Sequence, residues 1–356
     1  ERTIALCEKW FDPIADNPQP AASLPQEPPQ TESRREEVER NVPATMIVLA
    51  YHIGSRTSPD FFLGDMTSDL LAGGESGRLY QHLVREQRLL GSVNAYVSGE
   101  VDPGLFVFTA QLLPSTTVEQ AEAALLREIE ILQTEKIDEY ELEKIKNKFE
   151  ANTLFGELNV MNKAMNLGFY EMLGDLPLIN REVTIYRRTD RRLQPPHVPS
   201  RKSFHPNLPS QTMKQPPLIT PREVDVPRAQ RHTLPNGASL YAIPSDDFEV
   251  LRFTFVFRAG SSMQHAPFAA SATANMLSEG SRDMTARQIA ERLDFHGSYF
   301  EVNVDRDYVY ISFSSLSKFF GPTLEVAEQI LLQPLFPEDE LRAYCEKRKQ
   351  TLTMER

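Results

Sequence analysis

Two distant stretches of the chain predict strands of a half-buried sheet, and in the second of them two sets of residues alternate along the strand. One stretch is 44–51, and the other is 249–258, where Phe253 and Phe255 flank Thr254. A period of two residues places every second side chain on the same face of a strand. Each strand is followed by the same order of patterns: two helices, a strand hairpin and another helix. We therefore predict one supersecondary plan that is used twice.

The segments after each strand carry helix and turn signals. Thr117 with Gln120, and Thr285 with Gln288, have the spacing of a helix capping box. The predicted elements of the first half are helices at 60–71 and 76–90, strands at 92–99 and 105–113, and helices from 117 and over 138–173. Those of the second half are helices at 267–277 and 285–295, a hairpin at 299–314, and a helix through 324–331. This order predicts an α+β fold, in which two related domains each place helices on one face of a mostly antiparallel sheet.

Two proline-rich stretches interrupt these patterns, at 13–29 and at about 190–235. The second has few apolar residues, so it cannot bury enough surface to fold as a domain. We therefore predict a domain at 1–189, a Pro-rich linker at 190–231 and a second domain at 232–356. The start reads as the middle of a helix and the end is charged and uncapped, so we expect the chain to be part of a longer polypeptide.

Composition narrows the classes of partner. The 38 Lys and Arg residues and the 50 Asp and Glu residues give a net charge of −12, which argues against nucleic acid or an anionic membrane surface. No apolar run reaches the roughly 18 residues that span a bilayer. We expect Cys7 and Cys345 to be buried or inert thiols, and the acidic run 135–143 to be a solvated helix face. Soluble proteins or peptides are the expected partners.

Two groups of residues resemble one known family. Residues 76–93 (SGRLYQHLVREQRLLGSV) and the turn 102–106 (DPGLF) resemble the carboxy-terminal domain of pitrilysin/insulinase-type zinc metallopeptidases. Residues 233–241 (TLPNGASLY) and 257–261 (FRAGS) resemble the amino-terminal domain of the same family. That family is built from two halves of two α+β domains each, which close around an unfolded peptide. The resemblance implies that this chain joins the second domain of one half to the first domain of the next.

The resemblance also implies where zinc chemistry is missing. In the family a helix with His-x-x-Glu-His supplies two zinc ligands and the base that activates water. The corresponding positions here are Ser271, Ala274 and Asn275, which cannot replace two imidazoles and a carboxylate. We therefore expect no metal ligand, no catalytic residue and no cofactor in this chain. Zinc is expected in a domain that precedes Glu1 in the full-length protein.

The family further uses an Arg and a Tyr seven residues apart to hold the substrate carbonyl and the developing oxyanion. By resemblance Arg85 occupies the Arg position, but Ser92 occupies the Tyr position. Tyr96 lies four residues further along the same predicted strand, hence on the same face. Arg85 and Tyr96 are therefore the predicted substrate-binding residues. The alternative is that Arg85 is only a cation at a helix C-terminus, where the macrodipole favours it.

The resulting hypothesis is a non-catalytic portion of a two-half zinc metalloendopeptidase that is bacterial and periplasmic or otherwise exported. This portion would form chamber wall and contact a peptide or unfolded polypeptide. Its other partners would be the missing domains or a homologous subunit. The alternative is a non-catalytic scaffold or partner subunit that keeps the peptidase fold. The sequence that precedes Glu1 would separate the two, since an intact His-x-x-Glu-His there favours the enzyme.

Overall fold

The computed structural model describes residues 2–13, 30, 32–42, 44–189, 228–245 and 249–354. Its helices are α1 (Arg2–Phe11), α2 (Pro59–Ala72), α3 (Val118–Thr134), α4 (Glu139–Glu157), α5 (Val160–Met172), α6 (Leu178–Arg188), α7 (Ala269–Asn275), α8 (Ala286–Phe295), α9 (Phe320–Leu332) and α10 (Glu338–Met354). Its strands are β1 (Met46–Ile53), β2 (Leu90–Val97), β3 (Gly104–Leu112), β4 (Gln230–Thr233), β5 (Ser239–Ala242), β6 (Val250–Phe257), β7 (Tyr299–Val304) and β8 (Val309–Leu316). A π-helix, Tyr80–Glu86, lies between α2 and β2.

These residues belong to two compact units. The first unit consists of 1–34 and 203–246, and its described part contains α1 and an antiparallel hairpin of β4 and β5. The second unit consists of 35–202 and 247–356 and contains the remaining elements. None of the described helices is long and apolar enough to cross a membrane.

Two modules with one sheet each make up most of the second unit; we call residues 44–189 the first module and residues 249–354 the second module. The strand order is β1-β3-β2 in the first and β6-β8-β7 in the second, with all neighbours antiparallel. In both modules the strand that comes last in the sequence lies in the middle of the sheet, and a helix follows it. The structure thus confirms the predicted α+β fold and the plan that is used twice.

Each sheet buries one face against helices, as the alternating pattern predicts. In the first module β3 contributes Phe106 and Phe108 to a core that also includes side chains of α2, α3 and α4. In the second module Phe313 of β8 is fully buried. The rings of Phe253 and Phe300 pack on it, with centroids 5.3 and 5.2 Å away. The aromatic residues of the pattern therefore form the centres of both cores.

Local sequence signals set the ends of several helices. The side chains of Thr117 and Thr285 each accept a hydrogen bond from the backbone N–H of the third helical residue, which is a glutamine in both helices. The side chain of that glutamine accepts a hydrogen bond from the backbone N–H of the threonine. Both predicted capping boxes are thereby confirmed. The helical run predicted at 138–173 is instead two helices, α4 and α5. Asn159 separates them, because its side-chain oxygen accepts hydrogen bonds from the backbone N–H groups of Met161 and Asn162, in the first turn of α5, and so favours a new helix start.

Two expectations about the surface are wrong in part, since the two thiols are not buried and one carboxylate of the acidic run is held in an ion pair. Whether the thiols are inert stays a prediction. Cys7 and Cys345 are both exposed, because neither α1 nor α10 has a buried side chain among its described residues. The acidic run at 135–143 is not simply solvated. Glu141 accepts two hydrogen bonds of 2.8 and 2.6 Å from Arg78, so this carboxylate is held against the first module.

The predicted linker at 190–231 lies outside the described residues, except for 228–231 at its end. The first proline-rich stretch, 13–29, likewise lies outside them beyond Pro13. The domain boundaries predicted at 189 and 231 therefore stay predictions.

Candidate functional site

Arg85, one of the two predicted substrate-binding residues, lies at the contact between the two modules. The π-helix places its guanidinium beside two carboxylates of the second module, Glu279 at 2.6 Å and Glu340 at 2.9 Å. The side chain is only 17% exposed. Burial opposes its charge, but Glu279 and its other neighbours raise the pKa of Arg85 above the ordinary value. Arg85 is therefore a bridging cation whose charge is matched within the chain.

Tyr96, the other predicted residue, lies on the exposed face of the first sheet. It is 45% exposed, and Ser92 and Asn94 are the other exposed positions of β2. In the described part of the chain, the structure gives no contact between the side chains of Tyr96 and Arg85. The substrate-binding role of both residues stays a prediction.

Ser271, Ala274 and Asn275, at the positions of the zinc motif, lie on α7, a helix of seven residues. The hydroxyl of Ser271 donates to the carbonyl of Phe268 at 3.0 Å, and Nδ2 of Asn275 donates to the carbonyl of Ser271 at 2.7 Å. Ala274 is buried. Both polar side chains thus bond to the backbone of their own segment. A hydroxyl, a methyl and a neutral amide used in this way do not fit zinc.

The described ranges contain no other candidate for a metal centre. No three His, Cys, Asp or Glu side chains within them are grouped so that they could hold an ion.

Helices α4 and α8 carry a polar cluster at the contact between the modules. Asp294 of α8 accepts a hydrogen bond from Nζ of Lys148 at 3.0 Å and from the hydroxyl of Ser76 at 2.5 Å. Nζ of Lys144 donates to the same hydroxyl at 3.1 Å. The carboxylate of Asp294, in the second module, is therefore held by two side chains of the first module, and these bonds fix α8 against α4.

Close packing accompanies these polar contacts. Gly297, just after α8, has a φ of +57°, and a Cβ there would lie 2.7 Å from both the carbonyl oxygen of Asn147 and the Cβ of Ala151. The ring of Tyr140 stacks on Phe295 with centroids 4.5 Å apart. Glycine is thus required at 297 for two reasons, its conformation and the approach of α4.

Burial changes the titration of two groups around the cluster. The pKa of Asp69 is raised to about 7, first by burial and then by Asp65, while Lys148 opposes the change. Burial lowers the pKa of Lys144, and Asp294 opposes that change. Asp69, which interacts with Lys148 and Asp294 of the cluster, is therefore a group whose protonation responds to pH near neutrality.

Two open clefts adjoin the π-helix. One, of about 630 Å³, is lined by residues of the π-helix and α3, and the other, of about 510 Å³, adjoins Ser76 and Lys144. At the first cleft Glu128, buried on α3, lies 2.9 Å from Nδ1 of His82 and so orients the imidazole. The two residues are 46 positions apart, so no local motif could have predicted their contact.

Comparisons with known proteins give several likenesses. Residues 1–149 match the family model described as the peptidase M16 inactive domain. A protease from Helicobacter pylori is 23% identical, with a TM-score of 0.50, over 53% of this chain and 46% of that chain. The inactive peptidase domain of a candidate zinc protease from Bordetella parapertussis is 27% identical, with a TM-score of 0.40, over 43% of this chain and 83% of that chain. A peptidase M16 inactive domain from Pseudomonas fluorescens is 27% identical, with a TM-score of 0.30, over 32% of this chain and 28% of that chain.

These likenesses differ in what they support. The family model bears on the part of the chain that it matches, 1–149. The Helicobacter pylori protease supports the fold alone, and the chain spans 46% of its length. The other two structures have lower TM-scores and add no argument. Comparison with curated proteins gives no match.

Proposed function

We propose that this chain is the non-catalytic portion of a zinc endopeptidase of the M16, or pitrilysin-type, family, because residues 1–149 match the family model described as the peptidase M16 inactive domain. The family match is the observation that carries the proposal. The second module supports it, since Ser271 and Asn275 bond to their own segment and offer no donor set for zinc. In this proposal a preceding domain of the full-length protein holds the zinc, which activates water when bound.

The role that we propose for this chain is to form part of the wall of a peptide-binding chamber. The contact between the modules supports a rigid wall, since Arg85 and Asp294 each take part in ion pairs across it. The solvent faces of the two sheets expose apolar side chains that a peptide could cover, at Val48, Tyr96 and Val256. An extended peptide could also add to an edge strand through backbone hydrogen bonds.

Binding of an unfolded peptide to the purified chain tests the wall role. A fluorescein-labelled peptide without secondary structure should give a rise in anisotropy that saturates. Tyr96→Ala should weaken the Kd several-fold, because the exposed ring on the sheet is lost. Tyr308→Ala is the matched control, since Tyr308 is 41% exposed but follows the β7–β8 turn. No saturable binding, or an equal loss in both variants, would contradict the wall role.

A second candidate function is a non-catalytic scaffold or partner subunit. The observation that favours it is the loss of all three motif positions, Ser271, Ala274 and Asn275. Metal analysis of the full-length protein separates the two functions. An enzyme should contain one zinc per polypeptide and cleave an unfolded peptide until a chelator is added. A scaffold should show neither property. We also propose an exported, periplasmic location, which fractionation of the source cells would test.

A further inference from the structure

Three charged side chains meet where the second module contacts the first. Asp69 lies on α2 and Lys148 on α4, both in the first module, and Asp294 lies on α8 in the second. Nζ of Lys148 donates to the carboxylate of Asp294 at 3.0 Å and also to the carbonyl of Gly73. Lys148 and Asp294 both act electrostatically on Asp69. We call Asp69, Lys148 and Asp294 the carboxylate junction.

Two helices end at the carboxylate junction. Asp69 lies in the last turn of α2, and Asp294 lies in the last turn of α8. The C-terminal end of a helix carries a partial negative charge, which favours cations and disfavours carboxylates. Lys148 places its ammonium between the two ends, because it bonds to the carbonyl just after α2 and to Asp294. A second ionised carboxylate at this place is therefore unfavourable.

The carboxylate junction is closely packed. The side chains of Lys148 and Asp294 are only 16% and 17% exposed. Gly74 has a φ of +97°, and a Cβ there would lie 3.1 Å from Nζ of Lys148 and 3.7 Å from Oδ2 of Asp294. Water therefore screens these charges less than it screens charges on an open surface.

The charge of Asp69 also reaches a strand of the second module. Burial raises the pKa of Tyr299 of β7 to about 12, and Asp294 and Asp69 add to this change. The ring of Tyr299 packs edge-on against Phe155 of α4, with ring centroids 5.4 Å apart. Asp69 thus acts on β7 and on α8, the two elements of the second module that lie beside α4.

The first module adds carboxyl groups near Asp69. Asp65 lies one helical turn before Asp69 on α2 and acts on it. Asp65 accepts a hydrogen bond of 2.5 Å from the hydroxyl of Tyr186 on α6, and Glu182 of α6 also acts on Asp65. Helix α6 therefore places acidic and phenolic groups on this side of α2.

The strands that pack on α2 supply apolar side chains. Ile53 of β1 and Val97 of β2 both lie beside Gly64 of α2. Of the groups that act on Asp69, Asp65 and Asp294 oppose its ionisation and Lys148 favours it. Burial, the carboxyl neighbours and the two helix ends therefore all favour the protonated form of Asp69.

We propose that Asp69 is a pH-sensitive switch for the contact between the modules: its protonated form keeps α8 docked on α4, and its ionisation loosens this docking. The inference goes beyond the proposed function, because it needs neither zinc nor a peptide. Burial and then Asp65 raise the pKa of Asp69 from 3.8 to about 7. The docked state binds this proton more tightly than a separated state does, so docking should weaken as the pH rises through about 7.

Hydrogen exchange of the 1–356 chain at about pH 5 and about pH 8 tests the switch. Mass spectrometry follows peptides from α8, β8 and β3, with rates corrected for the intrinsic dependence of exchange on pH. Protection of α8 and β8 should fall at least about tenfold between the two pH values, whereas protection of β3 should change less than about twofold. The second module responds because its core is the smaller of the two.

Asp69→Asn should abolish this pH dependence, because asparagine imitates the protonated form of Asp69 and cannot ionise. Protection of α8 should then be the same at both pH values. Asp175→Asn is the matched control. Asp175 is 37% exposed in a surface pair with Arg181, so its variant should keep the pH dependence of the parent chain.

Asp294→Asn gives a readout that a purely structural role would not change. It removes one carboxylate that opposes the ionisation of Asp69 and leaves Lys148 to act on Asp69 alone. The midpoint pH at which α8 loses protection should therefore move down by at least about one unit. This shift is expected even if the variant also weakens docking at every pH.

Four results would overturn the switch. The first is equal protection of α8 in the parent chain at both pH values. The second is a loss at high pH that persists in Asp69→Asn. The third is an equal loss in β3, which would mean that Asp69 acts on the first module as a whole. The fourth is an unchanged midpoint in Asp294→Asn.

Discussion

The two modules have the same order of strands and helices, but their hydrophobic cores differ in size. Among the described residues, the core of the first module contains 24 buried apolar residues and that of the second contains 11. Helices α4 to α6 enlarge the first core, whereas α10 adds no buried described side chain to the second. The second module instead places α8 against α4, where Asp294 and Gly297 make close contacts. Of two modules with the same fold, the one with the smaller core can therefore depend on the other for its stability.

Removing one central ring from each core should have the largest effect. Phe313 and Phe108 are 0% and 1% exposed, and replacement of either by Ala should cost about 3–5 kcal/mol. We expect Phe313→Ala to unfold the second module first, because its core is smaller. Phe108→Ala should destabilise both modules, because the second packs on the first.

Hydrogen exchange of peptides from β3 and β8, followed by mass spectrometry during a urea titration, distinguishes these outcomes. Loss of protection in β8 before β3 is expected for Phe313→Ala, and loss in both together for Phe108→Ala. The same pattern in both variants would show that the modules are equally independent.

Arg85→Ala should have the next largest effect, because it leaves Glu279 and Glu340 without their shared cation at a largely buried contact. The expected loss is about 2–4 kcal/mol of unfolding free energy, measured by urea denaturation at pH 7. Arg181→Ala is the matched control. Arg181 is 57% exposed in its pair with Asp175, so its loss should cost less than about 1 kcal/mol. Equal costs for the two variants would mean that the Arg85 bridge is as solvated as a surface pair.

Asp69→Asn should have the smallest effect at pH 4, where the side chain of Asp69 is protonated, and its effect on stability should grow as the pH rises. Burial raises the pKa of Asp69 from 3.8 to about 7, so the folded state holds this proton more tightly than the unfolded state. The resulting stability is fully present below about pH 4 and is lost as the pH rises through about 7. The charged groups that face Asp69 are Asp65, Lys148 and Asp294.

Asparagine imitates the protonated form of Asp69, which fixes the expected sign. The variant should equal the parent near pH 4 and exceed it by up to about 4 kcal/mol at pH 8. Urea denaturation at pH 4, 6 and 8 measures this difference. A constant difference across the three pH values would mean that Asp69 does not titrate in this range.

The sequence predicts the local parts of the fold well. Strand alternation and the capping boxes at Thr117 and Thr285 depend on residues within a few positions of each other, so the chain itself reports them. The family resemblance of 76–93 and 102–106 is confirmed as well, since both segments lie within the part that matches the M16 inactive domain. These signals need no knowledge of tertiary contacts.

The contact between the modules could not be predicted in the same way. Arg85 and Glu279 are 194 positions apart, and Ser76 and Asp294 are 218 apart. No periodicity links residues at such distances, and only the docking of α8 on α4 brings them together. The resemblance assigned Arg85 to a substrate, whereas the folded chain gives its guanidinium two carboxylates of its own.

The zinc content of the purified 1–356 chain is the most direct test of its non-catalytic role. After incubation with excess zinc and removal of free metal by gel filtration, we expect far less than one zinc per chain and no chelator-sensitive cleavage of an unfolded peptide. One tightly bound zinc per chain, together with cleavage that a chelator abolishes, would contradict a non-catalytic role.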